Sequence, residues 1–185
     1  MKVRLLLELT LLSAAVGAGC ASEAAPEATV NDVESITEAI RAAAQVTCTI
    51  QTSTGNFLTA VGGGGRTTDV IHSDATRALG WEQFTLVDVG DGAHVGIKTL
   101  TGNFLTAVGG GGRSTDVIHS NATQLQAWEE FALVGLGSGQ FAIETVNGHF
   151  LTAVGGGGRT TDVIHSDATN ILGWERFGIS CALSP

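Results

Sequence analysis

The chain has 185 residues, 15% of them charged and 43% hydrophobic, with a formal net charge of −9. That balance is too apolar for a disordered acidic chain and points to a packed domain. Its nine Lys and Arg are scattered, which excludes nucleic acid as a partner, because phosphate binding needs clustered cations to displace counterions.

Residues 1–20 read as an export signal. Lys2 and Arg4 give a basic start, Leu5 to Val16 an apolar run interrupted by Glu8, and Gly17, Ala18 and Gly19 lead into Cys20. The run is too short for a membrane span, which needs about twenty apolar residues. Small residues ending in Cys resemble a bacterial lipoprotein signal, in which Cys20 is acylated. Gly17 stands where that motif usually carries Leu, so plain secretion is the alternative. The expected location is an anchor on a bacterial membrane or the extracellular space. Residues 21–45 form an acidic linker with Pro26, followed by a short helix. Asn31 is its predicted N-cap, with Glu34 three residues on and Val33, Ile36 and Ile40 at helical spacing. A spacer or a lid is its expected role.

Cys48 and Cys181 are the remaining cysteines. In an exported chain a lone pair near the two ends of a domain is a disulfide candidate; two buried free thiols are the alternative.

From residue 46 to 185 the chain is a threefold repeat. GNFLTAVGGGGRTTDVIHSDAT starts at Gly55, GNFLTAVGGGGRSTDVIHSNAT at Gly102 and GHFLTAVGGGGRTTDVIHSDAT at Gly148, spaced by 47 and 46 residues. A W-E-x-F segment follows each, at Trp81, Trp128 and Trp174. Alternation predicts strands in CTIQTS, with Cys48 and Ile50 on one side, and in NFLTAV, with Leu58 and Ala60 on one face. TDVIHS and WEQFTLV are also predicted strands, the latter with Phe84 and Leu86 alternating. GGGG marks a tight, close-packed connection. Four strands per copy give twelve in about 140 residues, which favours a closed three-lobed barrel over a propeller.

The G-x-F-L-T-A, Gly-rich, D-V-I-H and W-E-x-F pattern resembles the fascin-type β-trefoil, especially its bacterial carbohydrate-binding-module-like members. The resemblance spans Val46 to Pro185 and recurs in all three copies. It implies an all-β trefoil in which the last strand of one repeat pairs with the first of the next. Asp88 should then lie near Val95, and Gly135 near Phe141. By the same alignment Cys181 and Cys48 should meet where the third repeat closes onto the first.

The polar residues common to all copies are Arg66, Asp69 and His72; Arg113, Asp116 and His119; and Arg159, Asp162 and His165. One reading makes them ligand-binding: a shallow site per lobe, with Arg and Asp bonding sugar hydroxyls beside a glycine turn. The other makes them structural, an Arg–Asp staple beside a buried His on the side of Val70, Val117 or Val163. The Trp residues are expected in the packed layer. Glu82, Glu129 and Glu175 are expected to cap a turn or line a groove. Asp69, His72 and Asp74 offer metal-ligand atoms, but strand geometry sends Asp69 and His72 to opposite faces, so no metal is expected and no cofactor is implied. His72, Ser73 and Asp74 are adjacent in a strand and cannot form a hydrolytic relay. Asn121-Ala122-Thr123 matches a glycosylation sequon, which a bacterial lipoprotein would leave unused.

The residues therefore point to an exported, monomeric, non-enzymatic module that binds carbohydrate or a glycan-coated surface through up to three equivalent lobes. The resemblance also raises filament binding as in fascin, which like-charge repulsion from acidic actin disfavours. A structural or adhesion domain without a small ligand is the third possibility.

Overall fold

The computed structural model describes residues 29–30, 33–43 and 45–182. The expected signal at 1–20, Cys20, most of the tether and the Asn31 cap lie outside the described residues. β1 spans Thr29–Val30 and α1 Val33–Ala43. The first repeat supplies β2 (Gln45–Gln51), β3 (Phe57–Ala60), β4 (Ile71–Ala75) and β5 (Gln83–Asp88). The second supplies β6 (His94–Lys98), β7 (Phe104–Ala107), β8 (Ile118–Ala122) and β9 (Glu130–Gly137). The third supplies β10 (Gln140–Thr145), β11 (Phe150–Ala153), β12 (Ile164–Ala168) and β13 (Phe177–Ala182).

Six of these strands close a barrel. Antiparallel pairing runs β2–β5–β6–β9–β10–β13 and returns from β13 to β2. The hairpins β3–β4, β7–β8 and β11–β12 close one end. This is the closed three-lobed barrel expected from the repeats and the β-trefoil that the resemblance implies. Asp88 pairs with Val95, and Phe141 with Gly135, in the anticipated registers. Cys181 pairs with Cys48, and the two are disulfide-bonded across the seam between third and first repeats.

The core follows from alternation. Ile50, Ile97 and Ile143 form one equivalent set and Phe84, Phe131 and Phe177 another, all fully buried. Each such side chain is worth about 1.5–3 kcal/mol of burial. No single repeat could cover its own set, so the three repeats fold as one unit.

Two predicted strands begin later than expected. Thr68, Asp69 and Val70 precede β4 because Asp69 has φ 50, a left-handed conformation that ends an extended run. Trp81 and Glu82 lie in a 3-10 turn, Gly80–Glu82, and β5 starts only at Gln83.

The glycine run joins neighbouring lobes. Gly65 N–H donates to the Ser120 carbonyl at 2.7 Å, and Ser120 N–H to the Arg66 carbonyl at 2.8 Å. The same exchange links Gly112, Ser166 and Arg113, then Gly158, Ser73 and Arg159, completing the circle. The side chains of Ser73, Ser120 and Ser166 are fully buried in these junctions. Gly64 has φ +110, and a Cβ there would overlap Thr99 of the next lobe.

At the barrel end away from the hairpins, α1 covers the core. Ile36 and Ile40 are buried against it, and Arg41 Nη2 donates to the Gly92 carbonyl at 3.4 Å. Of the two expected roles, spacer or lid, this packing is that of a lid. β1 pairs with β13 at Ala182 and Cys181, beside the disulfide.

The disulfide closes a loop of 133 residues. Replacing both cysteines by Ala should lower unfolding free energy by roughly 4–5 kcal/mol in urea titration, with far-ultraviolet circular dichroism unchanged because five β2–β13 residue pairs remain. Gly64→Ala should cost about 2–4 kcal/mol by the same assay, since backbone strain and overlap combine. Gly55→Ala, where a Cβ meets open space at φ +87, should cost only about 1–2 kcal/mol of backbone strain.

Candidate functional site

The three Arg–Asp–His sets are built alike. Because Asp69 turns back at φ 50, its carboxylate reaches both neighbours instead of pointing away from His72. His72 Nε2 donates to Asp69 Oδ1 at 2.7 Å, and Arg66 Nη2 lies 3.3 Å from Oδ2. Asp116 meets His119 at 2.7 Å and Arg113 at 3.5 Å; Asp162 meets His165 at 2.7 Å and Arg159 at 3.4 Å. The expectation that Asp69 and His72 face apart is thus overturned. The expected burial of His72, His119 and His165 is corrected too. Val70 precedes the strand, Ile71 and Ser73 point inward, and His72 keeps a quarter of its side chain exposed. Among the described residues no three His, Cys, Asp or Glu are grouped to hold a metal ion.

The three aspartates share one place. The turns from Thr67 to Ile71, Ser114 to Ile118 and Thr160 to Ile164 line a single open depression of about 620 Å³. Equivalent residues from every lobe put it on the pseudo-threefold axis at the hairpin end. The aspartates belong to its wall; the Arg and His hold them from outside it. The three aspartate turns thus line one shared depression. The glycine turn is closed to a ligand at Gly64, because Thr99 of the next lobe fills the space.

The tryptophans contradict the expectation of a packed layer. Trp81, Trp128 and Trp174 are 49%, 51% and 51% exposed. Glu82 explains why. Its Oε2 accepts the Leu79 N–H and its Oε1 accepts the Thr59 hydroxyl, each at 2.8 Å, so the buried carboxylate pins the 3-10 turn. With Glu82 and Phe84 inward, Trp81 must face outward. Glu129 and Glu175 bond Thr106 and Thr152 in the same manner.

Trp81 and Trp174 sit where two lobes meet, and Trp128 holds the equivalent place in the second repeat. A Cβ on Gly63 would lie 3.6 Å from Trp81 Cδ1 and Nε1, and one on Gly156 would lie 3.6 Å from Trp174 Cδ1. The following lobe adds its turn: Thr101 Oγ1 donates to the Gly63 carbonyl at 3.0 Å and Thr54 Oγ1 to that of Gly156 at 2.8 Å. At the second boundary Asn147 Nδ2 donates to the Gly109 carbonyl at 3.0 Å. Three creases result, each with an aromatic wall and hydroxyl or amide groups opposite. Their apolar borders differ: Leu79 and Leu100 at the first, Val146 at the second, Leu172 at the third, all exposed.

No protein-family model and no curated protein matches the chain. Solved structures do. A designed threefold-symmetric protein, ThreeFoil, matches with TM-score 0.61 at 13% identity over 72% of this chain and 96% of its own. SeviL bound to asialo-GM1 saccharide matches with TM-score 0.54 at 14% identity, over 72% and 95%. The exo-β-1,3-galactanase 1,3Gal43A from Clostridium thermocellum matches with TM-score 0.62 at 14% identity, over 75% of this chain but 30% of that enzyme. At such identities these likenesses establish the fold.

Two carboxylates are held below the ordinary range. For Asp162 the leading cause is the hydrogen bond from His165, followed by the charges of His165 and Arg159. For Asp91 it is the bond from His94, then the N–H groups of Ala93 and His94. A carboxylate depressed in the folded state adds stability that is complete above its unfolded value of 3.8 and is lost as pH falls toward the folded value. Melting temperature should therefore drop below about pH 4, and drop less steeply in Asp91→Asn and Asp162→Asn, as followed by calorimetry from neutral to acid pH.

Proposed function

We propose that this chain is a non-catalytic glycan-binding module that stacks sugar rings on Trp81, Trp128 and Trp174. One observation carries the reading: the three largest aromatics stand half-exposed at equivalent lobe boundaries, while each Phe is buried or half-buried. An aromatic face attracts the polarised C–H groups of a pyranose, and the creases put hydroxyl and amide groups within reach of its hydroxyls. That SeviL, a chain of the same fold, is seen with asialo-GM1 saccharide supports the reading. The likeness to one part of a galactanase is in keeping with an accessory binding role.

The finer assignments belong to the same proposal. The repeat grammar supports a fascin-type member of the fold, and the composition is in keeping with a monomer. The disulfide fits an oxidising environment, which supports export. Each crease is shallow, so affinity per site is low and attachment to a repetitive glycan gains from avidity.

A glycan array and polysaccharide pull-down test this. Replacing all three Trp by Ala should abolish retention, and each single replacement should weaken binding about tenfold through lost stacking and multivalency. Melting temperature should stay within a few degrees of wild type, because the indoles are half-solvated. Unchanged retention in the triple variant would refute the assignment.

A further inference from the structure

We infer that the depression on the threefold axis is a second binding site, one per molecule, for a neutral polyol of pyranose size. This site does not rest on the tryptophan reading. Its volume of about 620 Å³ falls within the range of roughly 300–1,000 Å³ found for small-molecule pockets. Val70, Val117 and Val163, all buried, contribute an apolar base. Around them stand Asp69, Asp116 and Asp162, each preceded by two hydroxyl residues such as Thr67 and Thr68. An apolar base under a rim of acceptors and hydroxyls complements a pyranose, which has a C–H face and a hydroxyl edge.

The polar groups are preorganised. Each carboxylate is held at one oxygen by a His and faces an Arg at the other, yet it retains lone pairs for a ligand's hydroxyl protons. Arg66 Nε also donates to the Thr68 carbonyl at 3.2 Å, and Arg113 and Arg159 repeat that bond to Thr115 and Thr161. The Arg and His are thus positioning residues that fix the turn from outside. Three Asp against three Arg sum to zero charge, so the site does not select an organic cation. A ligand that touches all three turns must be large enough to span the lobes.

The test is a nuclear magnetic resonance titration of the full chain with methyl glycosides of glucose, galactose, mannose and N-acetylglucosamine, and with spermidine as the cationic comparison. At least one glycoside should shift the amides of Thr68, Thr115 and Thr161 together, saturating at one ligand per chain. The shifts should persist when all three Trp are Ala, which separates this site from the creases. Asp116→Asn keeps the left-handed turn accessible and should weaken the whole titration about tenfold or more, the loss expected for a hydrogen bond to a charged group. Thr68→Val with Thr115→Val and Thr161→Val is a second variant with the same expected weakening. The inference is overturned if no glycoside moves these amides, if the lobes saturate independently, if spermidine alone binds, or if neither variant weakens binding.

Discussion

Closure of a ring by main-chain exchange between lobes is the constraint on which this structure depends. Each glycine loop gives an N–H to the next lobe's serine carbonyl and receives one in return, and the third lobe does so to the first. Close approach of the lobes also depends on Gly64, where positive φ and the lack of a Cβ leave room for the Thr99 side chain of the next lobe. A side chain there would separate the lobes and open the apolar sets of Ile and Phe to water. The disulfide and the β13–β2 ladder reinforce the one boundary where sequence-distant repeats must find each other.

The surface features follow from that closure. A buried glutamate pins the turn before β5, β9 and β13 and turns a tryptophan outward beside the glycine loop. The next lobe's turn then completes the crease, so an isolated repeat would have no such crease. The left-handed aspartates sit at the hairpin tips, and only ring closure brings all three to a common depression. Lobe boundaries and the axis thus offer two different surfaces from one repeated sequence. The boundaries differ in their apolar borders, whereas the axial wall differs only by Ser114 in place of Thr.

Much of the fold was legible because the repeats are long and nearly identical. Alternation around Ile50 and Phe84 identified barrel strands, and the alignment of Asp88 with Cys181 and of Val95 with Cys48 gave the correct covalent seam. The site was less legible. An unbroken strand would separate His72 from Asp69, and an Asp that adopts positive φ gives no distinctive local signal in the sequence. As strand residues the tryptophans are expected in the packed layer, but the strand starts only after the 3-10 turn that holds Trp81. A signal was present: with Phe84 inward, alternation also turns Glu82 inward and Trp81 outward. Of the two expected roles of Glu82, capping a turn or lining a groove, its bonds to the Leu79 N–H and the Thr59 hydroxyl are those of a turn cap. The glycine run is the close-packed connection its composition implies, but sequence does not reveal that the next lobe, and no ligand, fills the space above Gly64.

Native-state hydrogen exchange at Gly65, Gly112 and Gly158 tests the closed ring most directly. If the three junctions are one cooperative unit, their amides should share a single opening free energy close to that of global unfolding. Much faster exchange at Gly158 than at the other two would show that the third lobe does not close onto the first, and would contradict the ring.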